Sequence, residues 1–366
     1  MSVFTDPHFD SHEQVVFAQD AASGLRAIIA IHDTALGPAV GGCRMWPYAS
    51  DEEALADVLR LSRGMSYKNA LADLPLGGGK SVIIGDSRTD KTEALLRAFG
   101  RVVESLGGRY RTAEDVGTSV ADMDIIGQET RHALGRSQGR AAIGDPSPYT
   151  ARGGLAAIKA AVRHKLGRTT LVGLRIAIQG VGHVGAHLAR LLTAEGAELV
   201  IADVNTDQVR AVAEETGATP VEVERILSLA ADVVVPCAMG AVLDDQSIAT
   251  LNTPIVAGLA NNQLAEARHG PLLHSRGILY APDYVANAGG IIAVAAENAG
   301  MTDLEQVTAK VDAIERTLTT LFERADSEGR PTADVADSMA RDRLARAHGT
   351  LRQGTGEQHP PRRLAG

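Results

Sequence analysis

Lys80 follows three consecutive glycines, Gly77, Gly78 and Gly79, in the segment LPLGGGKSVIIGD. Glycines followed by Lys-Ser raise the chemistry of phosphate binding. The phosphate-cradling pattern G-x-x-x-x-G-K-[ST] needs a glycine at position 74 and a helix after the lysine. Position 74 is Leu74, and the run SVIIGD reads as a strand, so that chemistry is excluded on spacing and on context. Glycines beside a lysine also let a ligand approach the backbone closely. Lys68 lies twelve residues earlier. Two lysines in one cleft would each disfavour the other's charge. Lowering a lysine from about 10.4 to about 7–8 takes ~4 kcal/mol, which partial burial plus a like charge can supply. Such a lysine accepts a proton near neutral pH. Spacing alone leaves open that both are ordinary surface lysines.

A second cluster is GVGHVG, comprising Gly180, Val181, Gly182, His183, Val184 and Gly185. It follows a predicted strand, opens a predicted helix, and precedes an acid, Asp203, at the end of the next strand. That context fits dinucleotide binding. Gly180 permits the tight turn, Gly182 lets a pyrophosphate approach, and Gly185 lets the helix lie close to the sheet. The helix N-terminus offers free N–H groups to the pyrophosphate. Asp203 would accept the adenine-ribose hydroxyls and repel a 2′-phosphate, and its neighbours Val204 and Asn205 supply no cation. NAD is therefore expected rather than NADP.

The elements that must carry these residues follow from periodicity. Residues 25–32, LRAIIAIH, read as a buried strand. Ser50 with Glu53 forms a capping box before Leu55, Val58 and Leu59, predicting a helix that ends near Gly64. Another helix is predicted over 91–106. Residues 135–150, rich in Gly, Ser and Pro, read as a hinge between domains. Strands then alternate with helices: 174–179, 183–195, 198–203 and 206–216, followed by DVVVPCA, PIVAGLA and GILYAP. This is the βαβ pattern of a parallel sheet. From Asp303 to Arg324 apolar residues step by three or four, predicting one long amphipathic helix. A shorter helix is expected after Pro331, and an unstructured tail from Gly354.

Composition narrows the function classes. The 366 residues predict about two domains, taking ~150 residues per domain. The net charge of −9 argues against a broad nucleic-acid or anionic-membrane surface. Cys43 and Cys237 are far apart and lack CxxC partners, so neither a metal cluster nor a disulfide framework is expected. Without an apolar span or leader pattern, the expected location is the cytoplasm.

GPAVGGCRM (37–45), RGMSYKNA (63–70), LGGGKSVIIGD (76–86), TAEDVGTSVADMD (112–124), GDPSPYTARG (144–153), PCAMGAVL (236–243), NNQL (261–264) and ILYAPDYVANAGG (278–290) are quoted as they stand. Together they resemble the Glu/Leu/Phe/Val amino-acid dehydrogenases over roughly residues 12–345, with leucine-type members the nearest match. The resemblance implies an α/β fold in two domains. A catalytic and oligomerisation domain (1–140 plus 331–366) is completed by C-terminal helices, and a Rossmann-type NAD-binding domain spans 141–330. It further implies domain closure and a homo-oligomer, dimer or octamer. The implied reaction converts an L-amino acid, NAD and water to 2-oxo acid, ammonia and NADH.

Carried over by position, Lys68 binds the substrate carboxylate, Lys80 is the catalytic lysine and Asp115 its proton-transfer partner. Thr150, the 180–185 turn, Asp203, Ala238 and Asn262 line the cofactor site, with Asn262 also near substrate. Val40, Gly41, Gly42, Met65, Ile291 and Val294 surround the side chain. Glutamate-specific relatives carry a lysine at the position of Val40, which reads a side-chain carboxylate. Val40 cannot, and burying that carboxylate unpaired is too costly. Apolar substrates are expected, leucine with valine and isoleucine, because one methylene is discriminated by only ~1–3 kcal/mol. Phenylalanine or tryptophan is the alternative within the family, and a non-catalytic NAD-binding sensor the alternative outside it. Cys43 reads as packing.

Overall fold

The computed structural model describes residues 2–137, 145–301 and 303–355. The chain forms two compact units, residues 1–137 with 339–366, and residues 138–338. Residues 138–144 of the expected hinge, with Gly144 of its motif, and the expected tail beyond Thr355 lie outside the described residues.

The first unit contains β1 (Gln14–Asp20), β2 (Leu25–Asp33), β3 (Ala39–Trp46), α1 (Asp51–Leu71), β4 (Gly77–Ile84), α2 (Glu93–Ser105), β5 (Tyr110–Glu114) and α3 (Val120–Ile126). Its sheet has the order β1-β2-β4-β3-β5. β1 and β2 run antiparallel to their neighbours, whereas β4, β3 and β5 are mutually parallel. Alternate residues point to opposite faces of a strand. Ile28, Ala30 and Val82 therefore pack under Leu55, Val58 and Leu59 of α1. Ile29, Cys43, Met45 and Ile83 meet Leu95, Phe99 and Met123 on the other face.

α1 differs from its sequence expectation. The Ser50 hydroxyl accepts the Glu53 N–H at 3.2 Å, which is half of the expected capping box; Glu53 Oε2 takes the Ala49 N–H at 2.8 Å instead of that of Ser50, and the helix passes through Gly64 to Leu71. A mid-helix glycine costs about 1 kcal/mol. The buried residues Ser66, Tyr67, Asn69, Ala70 and Leu71 beyond Gly64 outweigh that. The three glycines extend the strand expected at SVIIGD: β4 starts at Gly77 and carries Lys80 at its middle.

The second unit begins with α4 (Ser147–Leu166). The end of the expected hinge is thus the first turn of a helix entered through Pro146 and Pro148, where proline is tolerated. Then follow β6 (Arg175–Gln179), α5 (His183–Ala194), β7 (Glu198–Ala202), α6 (Thr206–Thr216), β8 (Thr219–Pro220), β9 (Val233–Pro236) and α7 (Asp245–Thr250). β10 (Ile255–Val256), α8 (His269–Ser275), β11 (Leu279–Tyr280), α9 (Asp283–Ala286) and α10 (Gly289–Asn298) complete the alternation. The sheet order is β11-β10-β9-β6-β7-β8, with every pair parallel. The chain winds outward from β6 in one direction and from β9 in the other. The β6/β9 junction is therefore the topological switch point of a doubly wound sheet, where ligands bind beyond the carboxyl ends of the strands.

The expected long helix from Asp303 is two helices, α11 (Leu304–Asp312) and α12 (Ile314–Glu328). They are separated at Ala313, whose ψ of −13° turns more tightly than an α-helix. The expected short helix after Pro331 is α13 (Thr332–Thr355), 24 residues long. Two of its four fully turned-in residues, Val335, Ala336, Ala340 and Leu344, are alanines, so its apolar stripe is faint in sequence. The division of the chain falls inside α13 at Met339 rather than before Pro331.

Candidate active site

Within the first unit, β4 is the reference element. A Cβ on Gly78 would stand 2.0 Å from the Ser66 backbone nitrogen, so α1 lies directly on this strand. The Asn69 side-chain amide donates to the Gly77 carbonyl at 2.7 Å and pins the same end. Met65 and Lys68 flank this contact on α1, both half-buried. Two residues after Gly78, on the same strand face, comes Lys80, only 5% exposed.

Parallel pairing sets Val40 of β3 beside Gly78. Val40, 1% exposed, shares its strand face with Gly42 and Arg44. A Cβ on Gly41 would stand 1.7 Å from the Gly79 carbonyl oxygen, and one on Gly42 would stand 2.7 Å from the Asp115 Cβ. These glycines let β3 and β4 close together and leave the space that Asp115 fills. The Tyr110 hydroxyl donates to the Gly41 carbonyl at 2.8 Å and fixes the strand from the opposite face.

Asp115 is ion-paired to Lys80. Its Oδ1 also accepts the Arg44 Nε–H at 3.2 Å and the Val116 N–H at 2.7 Å. Burial alone would raise the Asp115 carboxyl, but Lys80, Arg44 and these hydrogen bonds hold it below the ordinary carboxylate range. The partner that touches Lys80 is thus the carboxylate that the family resemblance names, whereas the spacing argument looked to a second ammonium, Lys68. Burial pushes the Cys43 thiol up to about 12, which leaves it a packing residue.

The second unit gathers the remaining residues in two groups. Gly180 has φ +95°, and a Cβ there would stand 2.7 Å from the Ala238 Cβ. A Cβ on Gly185 would stand 2.0 Å from the Gly180 carbonyl oxygen, whereas Gly182 faces open space. α5 starts at His183 with no side chain capping its first N–H groups. Val184 is half-buried and Val181 fully buried. Asp203 accepts the Val181 N–H at 2.8 Å and the Asn205 N–H at 2.9 Å. A cavity opens beside it, lined by Thr206, Arg210, Pro220, Val221 and Val223 among others. Turn, uncapped helix end, acid and cavity fit a dinucleotide: pyrophosphate on the amides, adenosine beside Asp203. Asn262, with φ +52°, hands its carbonyl to the Ala241 N–H at 2.7 Å, joining its loop to the one that carries Ala238.

The other group lies on α4 and α10. A Cβ on Gly289 would stand 2.0 Å from the Tyr149 carbonyl oxygen, and one on Gly290 2.6 Å from the Thr150 Oγ1. The two glycines therefore seat the start of α10 on Thr150. Ile291 and Val294 on that helix are half-buried.

Residues 12–132 match a family model described as the Glu/Leu/Phe/Val dehydrogenase dimerisation domain. Residues 199–352 match one described as glutamate/leucine/phenylalanine/valine dehydrogenase. The chain belongs to the Glu/Leu/Phe/Val dehydrogenase family. It is 51% identical over 344 residues to a leucine dehydrogenase of Geobacillus stearothermophilus, covering 94% of each chain. It is 50% identical over 339 residues to a valine dehydrogenase of Streptomyces virginiae, covering 92% of this chain and 94% of that one. Among solved structures it is similar to an L-tryptophan dehydrogenase from Nostoc punctiforme, with TM-score 0.82 and 43% identity. That similarity covers 92% of this chain and 97% of the other.

Two features of this family member escaped the sequence reading. Arg44 lies two residues beyond Gly42 on the same strand face, a position that period-two counting would have marked had GPAVGGCRM been read as a strand. Asn287 donates to the Leu259 carbonyl at 3.3 Å and to Asn261 Oδ1 at 2.9 Å, while its own buried Oδ1 has no protein partner. Among the described residues no His/Cys/Asp/Glu group could hold a metal ion, and no helix is long and apolar enough to cross a membrane.

Proposed function

We propose that this enzyme is an NAD-dependent dehydrogenase that reversibly deaminates apolar L-amino acids, leucine first and valine and isoleucine with it, to 2-oxo acid and ammonia. The observation that carries the reading is the pairing of buried Lys80, on the sheet face it shares with Val40, with half-buried Asp115. The identity of about half to leucine and valine dehydrogenases supports the substrate class.

NAD on the 180–185 turn would supply the hydride acceptor. The chain's own residues do the rest. Lys68 anchors the substrate carboxylate as a fixed cation. Asp115 takes a proton from the substrate amine, so that the nitrogen lone pair can form C=N as hydride leaves Cα. Once Asp115 is protonated the ion pair is gone, and Lys80, having released its own proton to solvent, takes one from the water that attacks this imino carbon. Asp115 returns a proton to the departing nitrogen, and as the carbonyl forms the hydroxyl proton goes to the released ammonia, which leaves as ammonium. Gly41 and Gly42 let substrate lie against the strand. Thr150, Ala238 and Asn262 line the cofactor side. Val40, Met65, Ile291 and Val294 offer only apolar contacts to the side chain.

The tryptophan dehydrogenase similarity favours one second reading, an aromatic substrate, because Val40 leaves more room than a leucine would. Leucine, valine, phenylalanine and tryptophan offered with NAD, and followed by NADH absorbance, rank these readings. Absence of turnover with all four overturns both and favours an NAD-binding sensor. The dimerisation-domain match supports a homo-oligomer, read as a dimer or octamer; the proposed setting is the cytoplasm, and the net charge of −9 argues against nucleic-acid or membrane partners.

A further inference from the structure

We infer that Arg44 is a positioning residue: it reserves one oxygen of Asp115 and leaves the other for proton exchange. The inference rests on the dehydrogenase reading. Arg44 Nε–H and the Val116 N–H both point at Oδ1, at 3.2 and 2.7 Å, while Lys80 meets Oδ2. An oxygen already accepting two N–H groups is a poor proton acceptor, so exchange with the amine runs through Oδ2.

Arg44 does not hang free. Its Nη1–H donates to Asp57 Oδ2 of α1 at 2.9 Å. The Tyr48 hydroxyl donates to the same oxygen at 2.7 Å, and Arg60 donates to Asp57 Oδ1 at 2.9 Å. The side chains of Arg44, Asp57 and Asp115 are 21%, 13% and 18% exposed, so water screens this chain of charges weakly. The fork of a guanidinium suits such bridging, whereas an ammonium cannot hold two carboxylates in fixed geometry. The groups facing Asp115 are Lys80 from β4, Arg44 from β3 and, behind Arg44, Asp57 from α1. Cys43 and Tyr110 are also near, and burial keeps both protonated.

The test uses the full-length enzyme with leucine and NAD. Arg44→Gln removes the charge and the fork. The acid limb of kcat against pH should rise by about one unit or more. Neutral-pH kcat should fall by about 10- to 100-fold, with KM for NAD unmoved. Arg44→Lys restores the charge, so the limb should return towards the wild-type position while kcat stays low. Asp57→Asn frees the far end and should lower kcat without raising the limb. If Arg44→Gln binds NAD normally and keeps the wild-type limb and kcat, the inference is overturned. Should Arg44→Gln fail to fold, wild-type kcat in both Arg44→Lys and Asp57→Asn overturns it instead. Absence of wild-type turnover would defeat the dehydrogenase reading itself, a separate outcome.

Discussion

Gly42 and Asp115 are packed so closely that a Cβ on Gly42 would stand 2.7 Å from the Asp115 Cβ and 2.9 Å from its Oδ2. The glycine is the space in which the carboxylate stands. Gly42→Ala should push Asp115 away from Lys80 and lower kcat by about 100-fold, the usual effect of a 1 Å misplacement. NAD affinity, measured by fluorescence titration, should be unchanged. Near-normal kcat would show that the carboxylate position is not critical.

Lys80 has no understudy on its strand face, where Gly78 and Val82 are its neighbours. Lys80→Ala should lose turnover by at least about 100-fold, the scale of one general acid–base group. It should still bind NAD, because the residues proposed for the cofactor lie on other elements. Retention of near-normal turnover would remove Lys80 from the assignment.

Asp203 has two tasks, holding the Val181 and Asn205 amides and, as proposed, the adenine ribose. Asp203→Ala should weaken NAD by about 10- to 100-fold, the loss of one or two charge-assisted hydrogen bonds. It should also narrow the preference for NAD over NADP, since the carboxylate that repels a 2′-phosphate is gone and Arg210 lines the same cavity. The ratio of NAD to NADP kcat/KM reads this directly. An unchanged ratio would place the ribose elsewhere.

His32 lies under α1, its Nδ1 2.8 Å from the Ser66 hydroxyl, with the His12 ring edge-on at 4.8 Å. Burial, with His12 adding to it and Asp33 and Asp10 opposing, lowers His32 from 6.5 to about 4; burial lowers His12 in the same direction. The unfolded chain thus binds the proton more readily, so this contribution is full above about 6.5 and is lost as pH falls towards about 4. Between about pH 7 and about pH 5 the loss from His32 is about 2 kcal/mol. Denaturant midpoints at the two values should differ less in His32→Asn than in wild type. Equal differences would show that His32 titrates alike in both states.

The second unit was largely legible because its signals are local. Short apolar runs, GVGHVG and Asp203 sit at fixed spacings along a βαβ pattern, and each step is set by its immediate neighbours. The first unit resisted for the opposite reason. AVGGCRMW and GGGK, rich in glycine, give no strand signal by themselves. Both are strands, because sheet neighbours hydrogen-bond their backbones and fill the space where side chains are missing. Gly64 reads as a helix end, but packing beneath Ser66 and Asn69 carries α1 on to Lys68.

From the residues alone follow the family resemblance, the doubly wound half and the choice of Lys68, Lys80 and Asp115 as the residues proposed to do chemistry. Only tertiary structure decided that Asp115, thirty-five positions from Lys80, is its ion-pair partner, and that Arg44 and Asp57 hold that carboxylate in place. A charge pair between distant positions leaves no periodicity in a sequence. It exists because strand register and the missing side chain of Gly42 bring the groups together, and register is a property of the whole sheet.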